Sequence, residues 1–388
     1  MKVLLIHTYY QQSGGEDAIF DQESALLLQS AQVETLSFRN KTGPGALLQF
    51  LLSIWNLRAA GKIKKAIARS RPDVIHIHNW HFAVGPLAIR VAHRAGIPVV
   101  LTINNYRLLC PSATLLYQGK LFTDSLNDAF PWKAVTRKVY RNSFFLTFWL
   151  AFVIWFHKKA GTWRMVDRYI VNTDFAKSLF VNSSFGIPED KYTIKANFVN
   201  RPAAGSRQRG DHLLFIGRLV EEKGIRILLE SIRSTNYELQ IAGDGPLKEE
   251  VRKACEMNPN IRYLGKLDKE GVRKAMMGCN VLIFPSIWYE GMPMTIIEAF
   301  ASGVPVIASN LGAMVSMIRH GYNGLLFETG NTGALTRQLT EWKSLDQPAQ
   351  ENYRQNTSDF YSAHYTPEKN RQELLFIYKK LTNEKIAY

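Results

Sequence analysis

Two carboxylates separated by seven residues form the pattern in this sequence with the clearest chemical meaning. Glu290 falls in a loop that follows the apolar run 281–284, and Glu298 falls about one turn inside a helix that begins near Pro293. The apolar run predicts a buried parallel strand, and proline is tolerated in the first turn of a helix. Ligands of open α/β sheets bind at such a strand-to-helix turn, where carboxylates can accept hydrogen bonds from hydroxyl groups.

Backbone amides lie between the two carboxylates. The N–H groups of Met292, Met294 and Thr295 precede or begin the helix, so we expect them to be free to bind an anion such as a phosphate. We also expect the Thr295 hydroxyl to cap the helix. Hydroxyl-binding carboxylates on both sides of a phosphate site match the order of groups in a sugar nucleotide. In the plainer alternative neither residue binds a ligand: Glu298 is an ordinary first-turn glutamate of the helix, and Glu290 is a solvated glutamate of the loop.

Two cations occupy another predicted strand-to-helix loop. Arg218 and Lys223 follow the apolar run 213–217, five positions apart, so both can reach one phosphate group. Arginine offers a planar fork of donors and lysine a point charge. Together they would stabilise the charge that develops on a diphosphate leaving group. The alternative is a solvated basic loop.

These motifs, EGMPMTIIE and GRLVEEKG, resemble the donor-site motifs of the retaining family-4 glycosyltransferases. The resemblance implies the GT-B fold, with Glu290 facing the sugar and Glu298 holding the ribose hydroxyls. Lys266, in the turn after the run 261–264, would border the base pocket. Gly15, in YYQQSGGED, would border the diphosphate in the glycine loop near the N-terminus.

Three histidines follow a predicted strand in the first half, at positions 76, 78 and 81. We find no accompanying carboxylate or cysteine in the sequence, so a polar strand end facing a cleft is favoured over a metal site, and we expect no metal or cofactor. Relatives carry a similar H-x-H run, which implies an acceptor-side role for His78. In TINNYRLLCP, Arg107 matches the family, whereas Asn104 stands where a histidine is expected; asparagine can still hydrogen-bond a hydroxyl.

Composition limits the class of protein. The 388 residues carry a formal net charge of +15, with 24 Lys and Arg against 12 Asp and Glu in residues 1–200. A basic half favours an anionic partner, although we find no nucleic-acid motif. The three cysteines have no CxxC spacing, and the N-terminal apolar run is too short for a signal peptide, so we expect a cytoplasmic protein.

The segment 143–156, SFFLTFWLAFVIWF, is apolar on every face and has basic flanks. It is shorter than the ~20 residues of a membrane-spanning helix. Two interpretations remain open, namely a helix in the interface of an anionic membrane and a helix wholly buried against the sheet of the first half.

Strands and helices alternate along the chain, which predicts parallel doubly wound sheets. We expect an acceptor-binding Rossmann-like domain at 1–200 and a donor-binding one at 201–364, facing across a cleft, with 201–211 as linker. Helices are predicted at 332–343 and 366–383, and the resemblance implies that a C-terminal helix, 365–388, packs back on the first domain.

The resemblance implies a retaining hexosyltransferase. It would move sugar from a nucleotide-diphosphate sugar to a glycan or polyprenyl-linked acceptor, in bacterial surface polysaccharide synthesis on the inner face of the cell membrane. The absence of a D-x-D motif favours a metal-independent reaction. The alternatives are a sugar-nucleotide hydrolase or epimerase, for which we find no clear carboxylate base in the first half, and an inactive binder.

Overall fold

The computed structural model describes residues 1–11, 14–202, 209–233 and 235–386. The chain folds into two compact units. The first contains Met1–Tyr117, Phe122–Ala196 and Asn370–Tyr388, and the second contains Gln118–Leu121 and Asn197–Lys369. Most of the expected linker, residues 203–208, lies outside the described part of the chain.

Short apolar runs form the strands, as expected for buried parallel sheets. In chain order the strands are β1 (Lys2–Tyr9), β2 (Gln32–Arg39), β3 (Val74–Ile77), β4 (Val99–Ile103), β5 (Leu116–Tyr117), β6 (Lys120–Leu121), β7 (Arg168–Val171), β8 (Tyr192–Ile194), β9 (Leu213–Ile216), β10 (Leu239–Ala242), β11 (Ile261–Gly265), β12 (Val281–Phe284), β13 (Val306–Ser309) and β14 (Gly324–Phe327).

Fifteen helices are assigned within the described residues. They are α1 (Gly15–Leu27), α2 (Pro44–Leu52), α3 (Leu57–Ser70), α4 (Leu87–Arg94), α5 (Trp132–Thr136), α6 (Phe144–Lys159), α7 (Asp174–Val181), α8 (Ile225–Arg233), α9 (Lys248–Met257), α10 (Lys269–Gly278), α11 (Met294–Ala301), α12 (Ala313–Met317), α13 (Thr332–Ser344), α14 (Gln347–His364) and α15 (Pro367–Ile386).

Two six-stranded parallel sheets confirm the predicted fold class. The strand order is β2-β1-β3-β4-β7-β8 in the first sheet and β11-β10-β9-β12-β13-β14 in the second, while β5 and β6 form a separate two-stranded sheet. In both large sheets the strand order reverses beside the first strand, and all paired neighbours run parallel. The loops at the carboxyl ends of β1 and β9 therefore lie at the switch points where such sheets bind ligands.

The end of the chain supplies part of the first unit's core. Leu374, Ile377, Tyr378 and Leu381 of α15 are buried in one cluster with side chains of β1, β3, β4 and β7. Removing these apolar side chains from water stabilises the first unit.

Helix α14 was not predicted from the sequence. Of its 18 residues only Thr357, Phe360 and Tyr361 are buried, so the apolar spacing that marks an amphipathic helix is nearly absent. Its start is nevertheless well formed, because the Asp346 side chain accepts a hydrogen bond from the Ala349 N–H at 2.9 Å.

Candidate functional site

The loop between β12 and α11 places the two predicted carboxylates as expected, one before the helix and one inside it. Helix α11 begins at Met294, with Pro293 at the N-cap and no side-chain cap. Thr295 therefore does not cap the helix, contrary to the prediction, because it lies inside the first turn. Met294 and Thr295 hold the first two helical positions, where the N–H groups have no acceptor within the helix. Met292, just before the helix, accepts from the Asn197 N–H through its sulfur at 3.3 Å.

Lys223 and Glu290 are brought into direct contact although they are far apart in the sequence. The Lys223 Nζ lies 2.6 Å from Glu290 Oε1, and the Ser286 hydroxyl donates to the same oxygen at 2.7 Å. Glu290 is only 5% exposed. A buried carboxylate must be paired and hydrogen-bonded to remain charged. Lys223 and Ser286 meet this requirement, so the buried Glu290 carboxylate is paired with a partly buried ammonium from the loop before α8.

Aromatic rings border the same ammonium group. The Lys223 Nζ lies 5.4 Å from the ring centroids of both Phe284 and Trp288, a distance at which cation–π attraction operates. The Trp288 Nε1 is buried and has no hydrogen-bond partner among the described residues. An indole N–H usually finds an acceptor when buried, so this donor is available to a ligand oxygen.

Backbone contacts join the two loops that carry these groups. The Ile287 N–H donates to the Glu222 carbonyl oxygen at 2.9 Å, and the Ser286 Oγ lies 3.1 Å from the same oxygen. Gly224, with φ of 70°, permits the approach, since a Cβ there would lie 1.9 Å from the Pro285 carbonyl oxygen. Only glycine satisfies both the conformation and the space.

The other predicted donor-side residues, Arg218, Lys266 and Glu298, are more exposed to solvent than Glu290. The Arg218 side chain is 63% exposed, and its Nη2 lies 3.5 Å from Glu222 Oε1. Lys266, directly after β11, is exposed. Glu298 is partly exposed, and burial raises the pKa of its carboxyl, opposed by the charge of Lys269. Arg218 and Lys266 therefore lie open to solvent, where a ligand can reach them.

In the first unit, Gly15 begins α1 and follows the N-cap Gly14. A Cβ on either glycine would meet nothing within 4 Å, so no neighbouring atom requires glycine there. Asn104 accepts from the Asn172 side chain at 3.2 Å, and its own Nδ2 is buried without a partner among the described residues. This amide is free to donate to a ligand hydroxyl. Arg107 is partly buried and lines a large cavity of the first unit.

The histidine cluster differs from the prediction of a polar strand end facing a cleft. His78 is buried, and burial lowers its pKa to about 4, so its imidazole is neutral at physiological pH. His76 is also buried and bonds to the Tyr378 hydroxyl at 2.6 Å and to the Thr102 hydroxyl at 2.7 Å. These rings pack inside the unit because the strand end is covered by α1 and α15.

A carboxylate does accompany these histidines, which sequence reasoning missed. Glu23, on α1, has an oxygen 3.4 Å from His78 Nε2, and Glu23, His76 and His78 place ligand atoms within 4.8 Å of one another. The other Glu23 oxygen, however, pairs with the Lys195 ammonium at 2.6 Å. The buried negative charge is therefore balanced by lysine. The only sign of this contact in the sequence is that Glu23 lies on a predicted helix. Because Glu23 is far from the histidines in the sequence, that sign did not connect them.

A second carboxylate was also missed. Glu16 lies in the first turn of α1, accepts from the Tyr10 hydroxyl at 3.0 Å and accepts from the Asn105 side chain at 2.9 Å. Burial raises the pKa of this carboxyl. It lines a small cavity together with His78 and Asn104. Its position directly after the two glycines of the loop is the signal that sequence reasoning passed over.

Helix α6 is neither wholly buried nor wholly exposed. Thr147, Leu150 and Ile154 are among its buried residues, whereas Phe144 and Phe145 are 49% and 51% exposed. Trp132, on α5, is 56% exposed. The wholly buried helix considered from the sequence is therefore wrong. Among the described helices, none has the length and apolarity needed to cross a membrane.

Comparison with known proteins agrees with this arrangement. Residues 198–360 match the family of glycosyl transferases group 1, and residues 32–201 match glycosyltransferase family 4. An uncharacterized glycosyltransferase of Methanocaldococcus jannaschii is 33% identical over 130 residues, which is 33% of this chain and 37% of the relative. A phosphatidyl-myo-inositol mannosyltransferase of Mycobacterium leprae is 33% identical over 142 residues, or 35% of this chain and 38% of that protein. The matches to these relatives thus span well under half of their length.

Solved structures share the fold along nearly the whole chain. The crystal structure of Anabaena HepE in complex with UDP has a TM-score of 0.69 at 15% identity, covering 98% of this chain and 100% of that one. Sucrose-phosphate synthase from Thermosynechococcus elongatus has a TM-score of 0.70 at 16% identity, covering 99% of each chain. With two adjoining family matches and the GT-B fold, this chain belongs to the group 1, family-4 glycosyltransferases.

Proposed function

We propose that this protein transfers a hexose from a nucleotide-diphosphate sugar to a hydroxyl of a glycan or lipid-linked acceptor. The observation that carries the proposal is the Lys223–Glu290 pair beside the start of α11, in which the Lys223 Nζ lies 2.6 Å from Glu290 Oε1. An ammonium group has three donors, so Lys223 can keep its bond to Glu290 and still donate to a phosphate oxygen. The helix start adds backbone donors beside it.

The reaction we propose retains the configuration at the anomeric carbon. The bond from that carbon to the donor phosphate breaks, and a bond to the acceptor oxygen forms on the same face. The acceptor proton passes to the departing phosphate oxygen, which yields the nucleoside diphosphate. Arg218 and Lys223 stabilise the negative charge that develops on this leaving group. Glu290 orients the sugar and stabilises positive charge near its anomeric carbon, while Glu298 binds the ribose hydroxyls.

No step in this scheme requires a metal ion, because Arg218, Lys223 and the α11 N-terminus supply the positive field. His78, Asn104 and Arg107 are proposed to serve the acceptor side. The neutral His78 and the unpartnered Asn104 amide are suited to hydrogen-bonding hydroxyls. We further propose that the protein works at the inner face of a bacterial cell membrane, in surface polysaccharide synthesis. The basic first half and the exposed rings of α6 support this placement.

Alanine variants test the donor site. Arg218→Ala and Lys223→Ala should each lower turnover on the order of 10²-fold, by analogy with removal of one preorganised donor. Arg233→Ala serves as a control, because its side chain is 69% exposed on α8 and pairs only weakly with Glu230. A thermal-shift screen of uridine, guanosine and adenosine diphosphate sugars first selects the donor. The rate of sugar transfer from that donor is then measured for each variant. Near-normal turnover in both variants would refute the assignment.

Glu16 gives one rival function a specific basis. A carboxylate with a raised pKa in the first unit is a candidate general base for water, so a sugar-nucleotide hydrolase remains the second candidate. Glu16→Gln distinguishes the two functions. Hydrolysis that releases free sugar and disappears in this variant favours the hydrolase, whereas sugar found on an acceptor in the wild-type protein favours the transferase.

A further inference from the structure

The first unit contains a cavity of about 690 Å³ that the donor chemistry does not use. It is bordered by the end of β1, the loop before α2, helix α2 itself, the segment after β4 and the loop before α6. Its volume falls in the range of about 300–1,000 Å³ that is common for small-molecule sites. The cavity is therefore large enough for a ligand of its own.

Charge defines one part of this ligand. Lys41, Arg107 and Arg141 line the cavity, and no aspartate or glutamate does so among the described residues. The backbone of Arg141 is in the left-handed region, with φ of 51°, a conformation that residues other than glycine adopt rarely. Three cations without a lining carboxylate favour an anionic group in the cavity.

The Arg107 guanidinium lies close to two aromatic rings. Its guanidinium carbon lies 5.8 Å from the Phe82 ring centroid and 5.4 Å from that of Tyr140. The Nε and Nη1 atoms are buried and have no hydrogen-bond partner among the described residues. Leaving buried donors unpaired is costly, and a guanidinium fork matches the oxygens of a phosphate. This side chain thus points to a phosphate group as the missing partner.

Apolar side chains define the other part of the ligand. Leu47 of α2 and Leu146 of α6 line the cavity, and Leu47 is 51% exposed. Leu48 on α2 and Phe145 on α6 are 57% and 51% exposed. Leu48 and Phe145 are the sequence neighbours of the two lining residues Leu47 and Leu146. Exposed apolar side chains that adjoin a cationic cavity fit a ligand with an anionic head and an apolar chain.

We propose that this cavity binds the phosphate or diphosphate group of a lipid-borne acceptor, whose chain lies along the apolar rim formed by Leu47, Leu48, Phe145 and Leu146. The inference rests on the proposed function, since it names the acceptor class and its site. Tyr10 lines the cavity and donates to Glu16 at 3.0 Å. A sugar attached to the bound phosphate can therefore extend toward Glu16 and its neighbours, the proposed acceptor side.

Calorimetric titration tests the site with three probes, namely farnesyl diphosphate, inorganic pyrophosphate and farnesol. The full chain carrying Arg218→Ala and Lys223→Ala is used, so that the donor site does not bind the diphosphates. Farnesyl diphosphate should bind at least about tenfold more tightly than pyrophosphate or farnesol, because it alone satisfies both the cations and the rim. Equal affinities for farnesyl diphosphate and pyrophosphate would contradict a lipid-borne ligand.

Substitutions of cavity residues show whether farnesyl diphosphate binds in the cavity. Arg107→Gln, and separately the exposed Arg141→Gln, should weaken farnesyl diphosphate binding about tenfold or more, whereas Arg94→Gln, exposed at the end of α4, should not. Leu48→Gln with Phe145→Gln should weaken it several-fold, and Leu28→Gln, 60% exposed beyond α1, should not. Unchanged affinity in both arginine variants would overturn the proposal.

Donor turnover by the unmodified chain separates this inference from the proposed function. Sugar transfer or donor cleavage without farnesyl diphosphate binding refutes the cavity assignment and leaves the glycosyltransferase proposal standing. Binding of farnesyl diphosphate without any reaction of a nucleotide sugar supports the cavity assignment and contradicts the proposed function.

Discussion

Lys223 shows how one residue combines structural and chemical roles. Its ammonium balances the buried Glu290 carboxylate and contacts two aromatic rings, which fixes its position before any donor is bound. Fixed donors are effective in catalysis because little reorganisation is needed when charge develops. The loop contacts around Glu222 hold both partners together, so the pair is preorganised for the diphosphate that we propose as its ligand.

Glu298 leads to a prediction on pH. Burial raises the pKa of its carboxyl above the ordinary value of 4.5, so the folded protein holds a proton there more tightly than the unfolded chain. Its contribution to the free energy of unfolding must then fall as pH rises from about 4.5 upward. Glu298→Gln should remove this penalty. We expect its melting temperature to exceed that of the wild type by a margin that grows as pH rises from about 4.5 through the folded-state pKa of Glu298, while donor affinity decreases.

Thermal unfolding across that pH range, with nucleotide-sugar titration at pH 7, checks both effects. Glu256→Gln is the matched control, since this exposed glutamate on α9 lacks the burial that raises the Glu298 pKa. A pH-independent difference in melting temperature between Glu298→Gln and the wild type would contradict the assigned cause.

The glycine turn at the end of the Glu221–Lys223 3₁₀ helix carries a prediction at the scale of elements. A methyl group on Gly224 would clash with the Pro285 carbonyl, so Gly224→Ala should separate the two loops and lower both stability and turnover. Gly321→Ala is the control, because Gly321 also has positive φ, 78°, but open space around its Cβ position. It should cost only the backbone strain, about 1–2 kcal/mol.

Denaturant unfolding and steady-state turnover distinguish the two glycine variants. Gly224→Ala should be the less stable and should lose activity beyond what its stability explains. Equal losses of stability and turnover in the two variants would mean that the close approach to Pro285 has no consequence.

Helix α6 carries a second prediction at this scale, on membrane binding. Phe144→Ser with Phe145→Ser removes two half-exposed rings, so binding to vesicles of phosphatidylcholine with phosphatidylglycerol should fall several-fold in a flotation assay. Phe376→Ser is the control, because Phe376 is 68% exposed on a different helix, α15. Absence of wild-type binding to anionic vesicles would refute the membrane proposal.

Elements with strong local signals were predictable, and those without them were not. The strand Val281–Phe284 and the helix after Pro293 follow from an apolar run and a proline, and both are confirmed within a residue or two. Helix α14 has too few buried side chains to show a period. For α6 the all-apolar sequence could not reveal which face is buried, since that depends on its neighbours.

At the scale of the whole molecule, the C-terminal helix completes the first unit. Tyr378 is buried beneath the sheet and bonds to His76, 302 positions earlier, at 2.6 Å. Tyr378→Phe should leave the imidazole without this partner and lower the free energy of unfolding by about 1–3 kcal/mol. Tyr322→Phe, at a 37% exposed tyrosine of the second unit, is the control. Denaturant unfolding of the two variants provides the test, and equal stability would contradict a structural role for the Tyr378 hydroxyl.

Contacts of this range also explain which site residues escaped prediction. The donor motifs are local, so Glu290, Glu298, Arg218 and Lys223 could be proposed from spacing and from the family resemblance. The Lys195–Glu23 pair joins residues 172 positions apart, and Glu16 meets Asn105 across 89 positions. Only the fold brings such groups together, and a single sequence carries no periodic signal for them.

The central claim is that the diphosphate of a nucleotide sugar binds between the loop of Lys223 and the start of α11. A crystal structure with the nucleoside diphosphate that most raises the melting temperature tests it most directly. We predict diphosphate oxygens within hydrogen-bonding distance of Lys223 Nζ and the Arg218 guanidinium, with the ribose hydroxyls on Glu298. A nucleotide bound elsewhere, with the Lys223–Glu290 pair free of any phosphate contact, would contradict it.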